Sequence, residues 1–175
     1  FAIAVESQPV KVAFRETVAG AARAEGRHKK QSGGHGQFGV AVIEVEPLAA
    51  GAGFEFVDEI VGGAIPRAFV AAVEAGIVDA MAAGGLHGFP VVDVRVRCTD
   101  GKHHSVDSSE MSFRAAGALA LREALAAAGT VVLEPVSRLE VVVAEHAQGD
   151  VLSDLNARRG RVVATDGDGV GTVRI

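Results

Sequence analysis

The chain has one cysteine, Cys98, among its 175 residues. A single thiol excludes an internal disulfide and suits a reducing compartment; in an alternating segment it reads as a small buried hydrophobe. No apolar run approaches the ~20 residues that a membrane-spanning helix needs. No charged segment leads into an apolar one at the start, so no signal peptide is read and a cytoplasmic location is expected. The pattern G-x-x-x-x-G-K-[ST] does not occur, which removes the loop that cradles nucleotide phosphates. G-x-S-x-G is missing too, and with it a nucleophile elbow. His103 and His104 could join Asp107 and Glu110 as metal ligands, but no H-E-x-x-H or paired-cysteine spacing supports them. Asp107 and Glu110 instead have the spacing of a helix capping box, so neither a metal nor a catalytic constellation is expected.

What is present is a very apolar body. Hydrophobic residues make up 49% and charged residues 22%, enough to bury a core in one domain and part of another. The formal net charge of −5 argues against sequence-blind attraction to nucleic acid. The charge is uneven, however. Arg23, Arg27, His28, Lys29 and Lys30 lie close together with only Glu25 opposing them, and Arg158, Arg159 and Arg161 form a second group. Either cluster alone reads as a solvated face, yet a local basic tip can still touch phosphate. The chain starts at Phe1 and stops within an apolar alternation, so both ends read as interior points of a longer polypeptide.

Period-two alternation predicts strands over 10–17, 38–47, 53–58 and 90–98. Helical spacing of Phe69, Val73, Ile77 and Ala80 behind Pro66 predicts a first helix ending at Gly84-Gly85. A polar loop over 99–106 leads to a second helix, capped by Asp107, buried through Phe113, Gly117, Leu121, Ala124 and Leu125, and stopped by Gly129. A strand at 130–134 precedes a domain boundary near Glu134-Pro135. Beyond it come a strand at 137–144, a helix at about 149–159, a strand at 160–165, an Asp-Gly-Asp-Gly turn and a strand at 170–175. That β-α-β-β order lacks the last helix and strand of an α+β sandwich.

Two polar, glycine-containing loops stand out on this body. One is Lys29-Lys30-Gln31-Ser32-Gly33-Gly34-His35-Gly36-Gln37; the other runs from Asp100 through Lys102, His103, His104, Asp107 and Ser108 to Glu110. Donors on flexible backbone with little apolar surface suit RNA phosphates, 2′-hydroxyls and base edges better than a small-molecule pocket.

The first loop, HKKQSGGHGQFG, resembles the elongation factor G domain IV signature KKQSGGRGQYG. HHSVDSSEMSF is similar to that family's second tip motif, HDVDSSELAF, and LEPVSRLEVVV with GDVLSDLNARRGRV matches the passage into domain V. The resemblance runs over about residues 8–175. It implies an α+β architecture: residues 1–9 as a linker or the end of a preceding domain, 10–134 as a domain like domain 2 of ribosomal protein S5, and 135–175 as an incomplete ferredoxin-like domain V. It further implies a ribosome partner, with the tip loops meeting rRNA, tRNA and mRNA in the decoding centre during translocation or recycling. GTP and Mg²⁺ would belong to an N-terminal domain outside this chain, and the chain itself is expected to be monomeric. On this reading Lys29, Lys30, Gln31, Ser32, Gly33, Gly34, His35, Gly36, Gln37, Lys102, His103, His104, Asp107 and Ser108 carry the RNA contacts. His35 stands where the family has Arg, and the residues around His104 bring the chain nearer to elongation factor G-like paralogues. The alternatives are a ribosomal protection protein, against which the intact QSGGHGQ speaks, a small-molecule kinase of S5-like fold, which would need a phosphate loop, and an interaction protein with no ribosomal role.

Overall fold

The computed structural model describes residues 11–31, 34 and 36–175. These fall into two units that divide after Pro135.

In the first unit, β1 (Arg15–Val18) pairs antiparallel with β6 (Thr130–Leu133). The remaining strands form one sheet of order β2-β3-β5-β4. Strand β2 (Ala22–Lys30) makes a hairpin with β3 (Gln37–Pro47), and β5 (Val94–Lys102) runs antiparallel to β3. Strand β4 (Phe54–Asp58) is parallel to β5, a pairing that needs a crossover, and α1 (Arg67–Ala83) supplies it. Helix α2 (Glu110–Ala128) packs beside α1 and over β2 and β3. Ile43, Val45, Val94, Val96 and Cys98 from the sheet meet Val73, Ile77, Phe113 and Leu121 from the helices in one core. Gly26 lets β2 approach α2, since a Cβ there would run into the backbone of Ala116 and Ala120.

A carboxylate fastens the β1–β6 ribbon to this body. Glu16 is buried, and its oxygens accept from the N–H groups of His87 and Phe89 at 2.9 Å and from the Thr130 hydroxyl at 2.6 Å. Burial pushes its pKa up, but the Thr130 hydroxyl, the two N–H groups and the His87 ring outweigh this and hold it below the ordinary value.

Several boundaries differ from the sequence reading. The first strand is Arg15–Val18 rather than 10–17, because its partner β6 offers only four residues, and Val10 lies outside the described residues. The basic cluster is itself an edge strand, β2, whose inward side chains are the small Ala22, Ala24 and Gly26 together with His28. Strand β5 begins at Val94 because Asp93 turns the chain at φ 56°, its carboxylate accepting the N–H groups of Gly51 and Gly53 at 3.0 and 2.7 Å. It then continues to Lys102 through the expected loop, since β3 keeps pairing with it across a register shift at Val42/Ile43.

The second unit holds β7 (Val142–Ala144), a 3-10 turn (Glu145–Ala147), α3 (Gln148–Ala157), β8 (Asp166–Gly167) and β9 (Thr172–Arg174). Its sheet has the order β7-β9-β8. The expected strand at 160–165 is absent from the described structure, and the expected turn sequence is partly strand. Asp168 accepts the N–H groups of Val170 and Thr172, both at 2.9 Å, which closes the hairpin so tightly that only Asp166 and Gly167 pair. Those bonds also hold the Asp168 carboxyl below its ordinary pKa.

Candidate functional site

The two polar loops follow β2 and β5, neighbours of β3 on opposite sides, so the sheet delivers both to the same end. They are then tied together. The Gly36 N–H donates to Asp107 Oδ1 at 3.0 Å, the Phe38 N–H donates to the Asp107 carbonyl at 2.8 Å, and the Ser108 hydroxyl donates to the Phe38 carbonyl at 2.8 Å. The Phe38 and His104 rings meet edge to face with centroids 6.4 Å apart.

The second loop is held from within as well. The His104 N–H donates to Ser108 Oγ at 2.9 Å, and the Asp107 N–H donates to His104 Nδ1 at 3.2 Å. A neutral ring accepting at Nδ1 carries its proton on Nε2, an atom that bonds no described residue. A charged ring would instead set its Nδ1–H against Asp107 Oδ2, 3.3 Å away. The His104 side chain is half-exposed.

Asp107 therefore does not cap α2, contrary to the sequence reading. Ser109 is the cap, accepting the Ser112 N–H at 3.2 Å, because Asp107 is committed to Gly36. A Cβ at Gly36 would lie 2.9 Å from the Asp107 carboxyl carbon, which explains a glycine there without any ligand.

The other expected site residues are placed as follows. His28 Nε2 donates to Gln37 Oε1 at 2.8 Å across the hairpin. Lys29, Lys30, Gln31 and Lys102 are exposed. Gly34 is exposed at φ 133°, a backbone that favours glycine. His103 turns away from the joint and donates from Nδ1 to the Ala64 carbonyl at 3.2 Å. Ser32, Gly33 and His35 lie outside the described residues. The sequence reading missed Phe38, whose ring and backbone both enter the joint; the aromatic directly after Gly36-Gln37 was its only signal.

Reactive groups elsewhere are subdued. Burial, with Asp58 and Asp100 adding to it, pushes the Cys98 thiol up to about 12, so it is no thiolate nucleophile near neutral pH. Among the described residues, no group of three His, Cys, Asp or Glu could hold a metal ion, and no helix is long and apolar enough to cross a membrane. The joined loops can offer hydrogen bonds and positive charge.

Comparison with known proteins follows the same division. The family model of elongation factor G domain IV matches residues 10–129, and that of the elongation factor G C-terminus matches residues 131–175. An elongation factor G-like protein of Mycobacterium tuberculosis H37Rv is 54% identical over 166 residues, covering 95% of this chain and 23% of its own length. Another, from Thermotoga maritima, is 48% identical over 175 residues, covering 100% of this chain and 26% of its own. A crystal structure from Thermus thermophilus superposes with a TM-score of 0.87 at 41% identity, covering 94% of this chain and 24% of that one. The chain spans about a quarter of the length of these relatives. The α+β fold implied by the resemblance is the fold observed.

Proposed function

Because the chain belongs to the elongation factor G family, as its domain IV and C-terminal region, we propose that it is the ribosome-facing part of a cytoplasmic translational GTPase. Its joined loops enter the decoding centre and support movement of tRNA and mRNA, or recycling of the ribosome. GTP with its Mg²⁺ is bound and hydrolysed by another part of the parent protein. This chain acts as a monomer and supplies contacts to rRNA, tRNA and mRNA, with no membrane involved.

The observation that supports this reading is the bond from the Gly36 N–H to Asp107 Oδ1. It holds two donor-rich loops together before any partner arrives, and a preorganised tip loses less freedom on binding. Lys29, Lys30 and Lys102 serve phosphates, while His104 Nε2–H faces a base edge or ribose.

Sedimentation of the parent protein with ribosomes and a non-hydrolysable GTP analogue tests the reading. Co-migration with ribosomes is expected; a protein that stays at the top of the gradient refutes it.

A further inference from the structure

The outer face of the four-stranded sheet is divided into rows by charge. Strand register puts Lys29 beside Phe38 nearest the joined loops, and Arg27, Val40 and Lys102 in the next row. Glu25, Val42 and Asp100 follow, then Arg23, Glu44 and Arg97.

The rows farthest from the loops are neutralised internally. Arg97 lies 3.0 Å from Glu44, Arg95 lies 2.7 Å from Glu46 and 2.8 Å from Glu55, and Arg23 lies 3.8 Å from Glu44. Arg27, Lys29 and Lys102 are exposed and form no ion pair with any described residue. Among the described residues of this face, the cations without an ion-pair partner thus lie beside the tip. The three cations span roughly 10 Å across two strand spacings and roughly 7 Å along them.

We propose that this strip binds the sugar–phosphate backbone of an RNA strand leading away from the tip loops. Arg27, Lys29 and Lys102 contact phosphates, and Phe38 offers its ring at the loop end. Unpaired cations are the ones that can release counterions from RNA, whereas the paired ladder has no charge to spare. The row of Glu25 and Asp100, which walls a shallow depression with Lys102, repels the next phosphate and ends the footprint. An acidic protein would want an apolar anchor pocket as well, and Val40, the apolar residue between the cations, is only 2% exposed. The assignment rests on the reading that the tip meets RNA.

The test uses this chain, a fluorescent RNA stem–loop with a single-stranded 3′ extension, and anisotropy titrations over a range of KCl. For R27Q/K102Q, the slope of log affinity against log salt should become shallower by about 1.4, the loss of two single-strand phosphate contacts. R95Q, in the paired ladder, should match wild type. An unchanged slope in R27Q/K102Q overturns the strip, as does tighter binding of polyglutamate than of RNA, or no RNA binding by wild type. If H104A weakens binding while R27Q/K102Q does not, the strip falls and the tip reading stands. Ribosome sedimentation of the parent protein decides the tip reading independently.

Discussion

Asp107 holds Gly36 across 71 positions of sequence, its Oδ1 accepting the Gly36 N–H at 3.0 Å while its own carbonyl accepts the N–H of Phe38. One residue thereby joins the turn of a hairpin to the segment that precedes α2. Its side chain and backbone make separable contributions.

Asp107→Ala should free the side-chain bond and leave the backbone one. Losing a charge-assisted bond of ~1.5 kcal/mol predicts amide exchange at Gly36 faster by about tenfold. Exchange at Phe38 should stay slow. Equal protection of Gly36 in mutant and wild type would contradict the role given to Asp107.

His104→Ala in the parent protein should slow tRNA movement more than it weakens ribosome binding, because the residue sits at the tip. Single-round translocation and ribosome affinity are the two readouts. Unchanged translocation, or equal losses in both, counts against the assignment.

Glu16 sets a pH dependence of stability. Its folded pKa lies below the unfolded value of about 4.3, so its contribution is complete above pH ~5 and fades as pH falls through the folded value. Glu16→Gln keeps a carbonyl for the two N–H groups on Oε1 but puts an NH₂ group where Oε2 accepted the Thr130 hydroxyl, which should cost about 1–3 kcal/mol near pH 7. The gap between the two proteins should narrow in urea melts below pH 4. A gap that is constant from pH 7 to pH 3 would sink the claim.

Gly26→Ala should destabilise by about 1–3 kcal/mol through overpacking against α2. Gly20→Ala, where a Cβ meets nothing within 4 Å, should change stability by less than ~0.5 kcal/mol. Denaturant midpoints compare them, and similar losses in both would show that β2 does not need its close approach.

How legible each element was follows from residue size and from partner length. Strand β3 and helix α2 announced themselves because large apolar residues recur at one period: Ile43 and Val45 in the strand, Phe113 and Leu121 in the helix. Strand β2 did not, because alanines and a glycine supply its inward face and its charged face masks the alternation. The strand expected at 160–165 failed for another reason. Its apolar residues were real, but a strand also needs a neighbour, and Val163 stays 87% exposed without one. Asp107 was misread because a carboxylate just ahead of a helix has two possible partners, the helix N–H groups and a distant loop.

Family membership, the apolar body, the three helices and the polar character of the two loops were all readable in the amino-acid order, since each depends on residues near one another in the chain. The joining of the loops through Asp107, the burial of Glu16 beneath His87 and Phe89, and the sorting of charge into paired and unpaired rows were not. Each of these depends on strand register between segments tens of residues apart, and a slip of one position would exchange the two faces of the sheet.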